Sequence, residues 1–133
     1  MNFFIKKNST LPELIYPLTQ KTLEYYNITA DMLDNVAITF SMINAETGIY
    51  SIANVPANLI IETPRANYPS DSIYSLSFRF KLSQTKKVGN YLGEFVMDFI
   101  YFGGDSGCGK IKVPVDGSIN IIISDSITKT TVI

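Results

Sequence analysis

Three stretches of the chain alternate apolar and polar residues with a period of two, the spacing of a strand with one face buried. In VAITFSMIN, Val36, Ile38, Phe40 and Met42 share one face and Ala37, Thr39 and Ser41 the other. In IYSLSFRFKL, Tyr74, Leu76, Phe78, Phe80 and Leu82 oppose Ser75, Ser77, Arg79 and Lys81, the cleanest alternation in the chain. In NYLGEFVMDFIYF, Tyr91, Gly93, Phe95, Met97, Phe99 and Tyr101 oppose Leu92, Glu94, Val96, Asp98, Ile100 and Phe102. The second face of this last stretch is only partly polar, which predicts a long strand buried on both sides for part of its length.

Shorter β-prone runs surround these three. Asn2–Lys7 and Leu14–Thr19 read as strands, with Pro17 placing the second at an edge or a bend. Ile49–Ala53 follows the turn sequence Ala45-Glu46-Thr47-Gly48, so it is expected to pair back on residues 36–44 as a hairpin. Asn58–Glu62 is another short strand candidate, and Lys110–Val113 and Ser118–Ser124 are separated by Pro114-Val115-Asp116-Gly117, a turn signal. Thr29–Asn35 predicts one helical turn capped by Thr29, and no other segment has a helical period. Thr63–Ser72, TPRANYPSDS, is a polar, proline-bearing loop between two groups of strands. Seven to nine strands in 133 residues predict a single all-β domain, an antiparallel sandwich or barrel.

Composition then narrows the function classes. A chain of this length can hide roughly 70% of its unfolded surface, so it needs no staples to build a core. It has one cysteine, Cys108, and so no intrachain disulfide. The charged fraction of 17% falls below the usual ~25%, which fits either a protein that lives in an assembly or a sandwich whose surface is Ser, Thr and Tyr. The net charge of −1 gives no basic footprint for nucleic acid. No apolar run approaches the length of a membrane-spanning helix, and MNFFIKKNST lacks the pattern of a cleaved signal, so neither membrane nor secretory route is expected. The sequons at Asn8 and Asn27 are accordingly read as chance.

Residues 103–111, GGDSGCGKI, imitate two catalytic signatures. Gly104 to Lys110 fits the first seven positions of a P-loop. There, however, backbone N–H groups at a helix N-terminus cradle phosphates, and a hydroxyl after the lysine holds Mg²⁺. Here Ile111 follows the lysine, and Pro114 breaks any helix. GDSG also surrounds the nucleophile of some serine proteases, but the chain has no histidine, so Ser106 has no imidazole base. A Ser106–Lys110 dyad, or a pair of carboxylates among Asp98, Asp105, Asp116 and Asp125, is the remaining catalytic option. The glycines are better accounted for as a wide hairpin loop, in which Gly103, Gly104, Asp105 and Ser106 can mould to a partner. No cofactor, metal or enzymatic activity is expected.

The ordered segments carry a resemblance. FRFKLSQTKKVGNYLGEFVMDF brings Gly89, Tyr91, Gly93, Glu94 and Phe95 into the pattern G-x-Y-x-x-E-F. GKIKVPVDGSINIIISDS follows with Pro114, Gly117, Ile119, Ile121 and Ile123. This order resembles the N-terminal immunoglobulin-like domain of phage baseplate upper proteins and related small virion modules. The resemblance spans nearly the whole chain, although the tryptophan frequent in sandwich cores is missing. It implies an immunoglobulin-like β-sandwich without catalysis, a structural protein of a tailed-phage virion assembled in the host cytoplasm. Its place would be tail or baseplate, neck, or capsid decoration, and its partners other virion proteins in many symmetric copies. On that view residues 126–133, with Ile127, Val132 and Ile133, are a candidate docking strand for a neighbour's sheet or a last strand of their own. The alternative is a sandwich that binds carbohydrate or a receptor through exposed tyrosines such as Tyr50, Tyr68 and Tyr74.

Overall fold

The alternating segments become strands because each can bury one row of side chains while its backbone pairs with a neighbour. In a computed structural model that describes residues 1–61, 74–99, 109–114 and 116–125, they build two stacked sheets. The elements are β1 (Asn2–Lys6), β2 (Leu14–Leu18), α1 (Gln20–Tyr25), α2 (Ala30–Leu33), β3 (Val36–Asn44), β4 (Tyr50–Pro56) and β5 (Asn58–Ile61). They continue with β6 (Tyr74–Phe78), a 3-10 turn at Leu82–Gln84, β7 (Gly89–Phe99), β8 (Gly109–Val113) and β9 (Ile119–Ser124). The large sheet runs β1-β9-β7-β3-β4, with β8 also on β7; the small sheet runs β2-β6-β5. The expected all-β class is what the structure has.

Between the sheets lies an aromatic core. Phe40 of β3 stacks on Phe78 of β6, with ring centroids 4.6 Å apart, and meets Phe95 of β7 at 5.0 Å and Phe80 at 6.0 Å. Phe3 of β1 stacks on Phe80 at 5.8 Å. Leu14, Leu18, Met42, Leu76, Met97, Ile119 and Ile121 complete the buried layer. Tyr91 joins this layer and turns its hydroxyl back to the chain, donating to the Lys87 carbonyl at 2.8 Å. Removing that hydroxyl leaves a carbonyl without its donor. Tyr91→Phe is therefore expected to lower stability by about 1 kcal/mol, read as a lower urea midpoint at unchanged slope. A midpoint equal to the parent's would show that the bond contributes nothing.

Several expectations need correction. The sandwich is not wholly antiparallel: β1 lies parallel to β9, from Asn2 beside Asn120 to Lys6 beside Ser124. These strands come from opposite ends of the described chain, so no short turn dictates their relative direction. The segment 114–117 does not reverse the chain. β8 pairs with Phe95–Phe99 and β9 with Gly89–Gly93, along the same edge of β7 and in the same direction. The chain between Val113 and Ile119 thus has only Glu94 opposite it, and Pro114, Asp116, Gly117 and Ser118 bulge out of a nearly continuous strand. Ser75 and Ser77, expected on a solvated face, are buried. They sit in the middle strand of the small sheet, Ser75 between Pro17 and Ile60 and Ser77 between Ile15 and Asn58. The outward residues of β7 are half-buried rather than enclosed.

Leu82 leaves the alternation and is exposed at the 3-10 turn, while Phe80 still points inward beyond the end of β6. Helix α1 was not expected. Its six residues bury only Leu23 and show no period, and it is set by Thr19, whose hydroxyl caps the Thr22 amide at 3.3 Å. The turn expected at Thr29 is α2, with Thr29 at its N-cap. Asn8 and Asn27 of the two sequons have φ of 59° and 56°, so both are turn residues for which asparagine is well suited.

Candidate functional sites

Residues 62–73, 100–108, 115 and 126–133 lie outside the described residues. They include Tyr68, the proposed partner loop Gly103, Gly104, Asp105 and Ser106, the proposed docking residues Ile127, Val132 and Ile133, and Cys108. Lys110 and Ile111 are described: they belong to β8, a strand, where a P-loop requires a helix. Lys110 is exposed, opposite Asp98 in register. Asp116 and Asp125 lie on the bulge and beyond the end of β9, and no cluster of three potential metal-ligating side chains occurs among the described residues.

Two surfaces stand out. The first is the outer face of the large sheet. One row of outward residues crosses all five strands: Asn2, Asn120, Leu92, Ile43 and Tyr50. The adjacent row holds Phe4 and Ile122, and the row beyond Glu94 holds Val96 and Lys112. Phe4 is 63% exposed and Tyr50 64%, while Ile43, Leu92, Val96 and Ile122 are half-buried. A shallow depression of about 250 Å³ lies among Ile43, Tyr50, Leu92, Val96 and Glu94. These apolar side chains share the face with Asn2, Asn120, Glu94 and Lys112, the mixed character of a surface that meets a partner rather than of a core. At the β4 border the ladder is irregular, with register shifts at Met42. Asn54 has φ of 50°, its amide donates to the Ser41 hydroxyl at 2.9 Å, and this distorted edge does not invite strand addition.

The second surface is a groove of about 460 Å³ where the open side of the sandwich meets α1. One wall is α1, through Lys21, Thr22 and Tyr25; the other is the bulge, through Pro114, Asp116 and Ser118; Tyr16 of β2 and Met1 complete it. Tyr26, just after α1, donates its hydroxyl to the Lys112 carbonyl at 3.2 Å and so ties the helix end to β8. Tyr25 stands edge-on to Tyr26, ring centroids 5.0 Å apart and planes at 90°, and is 67% exposed. Tyr16 packs its ring 6.5 Å from Phe95. Burial, and then the neighbouring Tyr26 phenol, push the Tyr16 phenol above its ordinary value of 10.0. Burial, then Tyr25 and then Asp116 push Tyr26 up in the same way. The Tyr16 and Tyr26 phenols therefore remain neutral hydroxyls at physiological pH.

Of the tyrosines singled out by sequence, Tyr50 is on the sheet face and Tyr74 is half-buried beside α1 and α2. The set that converges, Tyr16, Tyr25 and Tyr26 with Asp116, was not anticipated. The doublet Tyr25-Tyr26 is visible in the sequence, but Asp116 is brought to it only by the bulge. Comparison with protein-family models, with curated proteins and with solved structures found no match.

Proposed function

We propose that this chain is a non-enzymatic docking module of immunoglobulin-like topology, a structural protein of a tailed-phage particle that binds other virion proteins. The observation that carries the docking role is the set of apolar side chains on the outer face of the large sheet, Phe4 and Ile122 in one row and Leu92, Ile43 and Tyr50 in the next. Five strands about 4.8 Å apart, the central one the eleven-residue β7, offer a footprint on the order of 800 Å², that of one side of a standard interface.

The topology is supported by strand order and by β7. Variable-type immunoglobulin sandwiches place strands G, F, C and C′ in one sheet and B, E and D in the other. Here β9, β7, β3 and β4 take the first set of places and β2, β6 and β5 the second. That family also carries a tyrosine near the start of strand F, its hydroxyl bound to upstream backbone, two residues before a core cysteine that packs on a strand-C tryptophan. Tyr91 makes such a bond to Lys87. Gly93 stands two residues on, and Phe40 of β3 fills the space beside it. The phage assignment rests on the resemblance carried by residues 89–95 and 114–123.

The test is incorporation. Mass spectrometry of purified particles should find the chain at a fixed copy number. Leu92→Lys combined with Ile122→Lys puts two charges into the centre of the proposed interface while leaving the buried layer intact. It should reduce incorporation at least about tenfold, the equivalent of about 1.4 kcal/mol. Absence of the parent chain from particles would defeat the virion assignment. Parent-level incorporation of the double variant would defeat the sheet face as the docking surface.

A further inference from the structure

We propose that the groove between α1 and the 114–118 bulge is a carbohydrate site that takes a neutral pyranose, the end or a branch of a glycan. The chain places five residues opposite Glu94 where a continuous strand needs one. The effect of that insertion is to bring Pro114, Asp116 and Ser118 across from Tyr25 and Lys21. Bulges of this kind re-aim side chains beside binding sites.

The chemistry of the walls selects the ligand. Tyr25 offers an exposed aromatic ring, and its edge-on contact with Tyr26, itself bound to the Lys112 carbonyl, holds that ring in place. A pyranose has one face of C–H groups that stacks on such a ring and a rim of hydroxyls that needs polar partners. Asp116 supplies an acceptor at the rim, Lys21 a donor, and Ser118 a hydroxyl that does either. Lys21 and Met1 on one side and Asp116 on the other give the lining both signs of charge. The volume of about 460 Å³ falls within the range of small-ligand sites. The groove meets the sheet-face depression only at Ser118, and the inference does not depend on the docking role.

The test uses the full chain, isotope-labelled, titrated with methyl β-glucopyranoside, methyl β-galactopyranoside and methyl N-acetyl-β-glucosaminide, with amide shifts as the readout. Saturable millimolar binding of at least one is expected, with shifts gathered at Lys21, Thr22, Tyr25 and Ser118. Tyr25→Ala should weaken that binding about tenfold, the loss of one aromatic stacking partner, while Tyr25→Phe keeps it. Because Tyr25 is 67% exposed, both variants should melt at the parent's temperature, which separates lost binding from lost fold. If no pyranoside moves these amides, or if Tyr25→Ala binds as well as the parent, the proposal falls. It falls equally if a tyrosine- or proline-rich peptide saturates the groove and the pyranosides do not.

Discussion

Phe40→Ala is expected to cost about 3–5 kcal/mol, the range for deleting a fully buried phenylalanine. Phe40 has no exposed surface and contacts three other rings, Phe78 and Phe80 from the small-sheet side and Phe95 from its own sheet. Those rings are themselves held from both sheets, so they cannot collapse into the space that Phe40 leaves. Against a typical domain stability of about 5–15 kcal/mol, the loss removes a large share of the total. Guanidinium unfolding should show a much lower midpoint with the slope retained. Phe4→Ala is the matched control: the same chemistry on a side chain that is 63% exposed should change stability by less than about 0.5 kcal/mol. A loss below about 1.5 kcal/mol for Phe40→Ala would mean that the two sheets do not pack through this ring cluster.

Gly93→Ala should destabilise by about 1–3 kcal/mol, and Gly93→Val by more. The direction is informative because strand propensity alone predicts the opposite: glycine weakens a strand and valine favours one. The reason lies on the two strands that flank β7 in its own sheet. A Cβ on Gly93 would stand 2.6 Å from Ile121 Cδ1 and 2.9 Å from Phe40 Cζ. The isoleucine methyl can swing aside, but the tip of Phe40 is wedged between Phe78 and Phe95. Trimming the obstacle should recover part of the loss, so Phe40→Leu should cost less in the Gly93→Ala background than alone. A double-mutant cycle measures that coupling, and strictly additive costs would show that residues 40 and 93 do not compete for the same space.

Gly93 also marks how far a sequence can be taken. It is legible as part of G-x-Y-x-x-E-F, but the pattern does not say why glycine is there. Phe40 lies on another strand, fifty-three positions earlier in the chain, and only the register of β3 on β7 brings the two together. The same holds for the groove. Tyr25, Tyr26 and Asp116 are each visible, and Pro114-Val115-Asp116-Gly117 is recognisable as irregular backbone. A turn signal does not distinguish a reversal from a bulge, because both need the same residues. What decides is whether the next strand finds its hydrogen-bond partners on a new neighbour or farther along the same one, and here β9 continues along β7.

The strand-forming segments themselves were determined by the sequence. Alternation is a local property: successive side chains of an extended backbone point to opposite sides, so residues such as Phe40, Leu76, Phe78, Phe95 and Met97 declare a buried face without knowing what covers it. The absence of histidine and the isoleucine after Lys110 likewise remove two enzymatic readings by residue chemistry alone. Only the tertiary structure decided which strands are neighbours, that β1 runs parallel to β9, that Ser75 and Ser77 are buried, and that Phe4 and Tyr50 stand exposed on the outer face of the large sheet. Those outcomes depend on contacts between residues far apart in the chain, whose energies no local window contains.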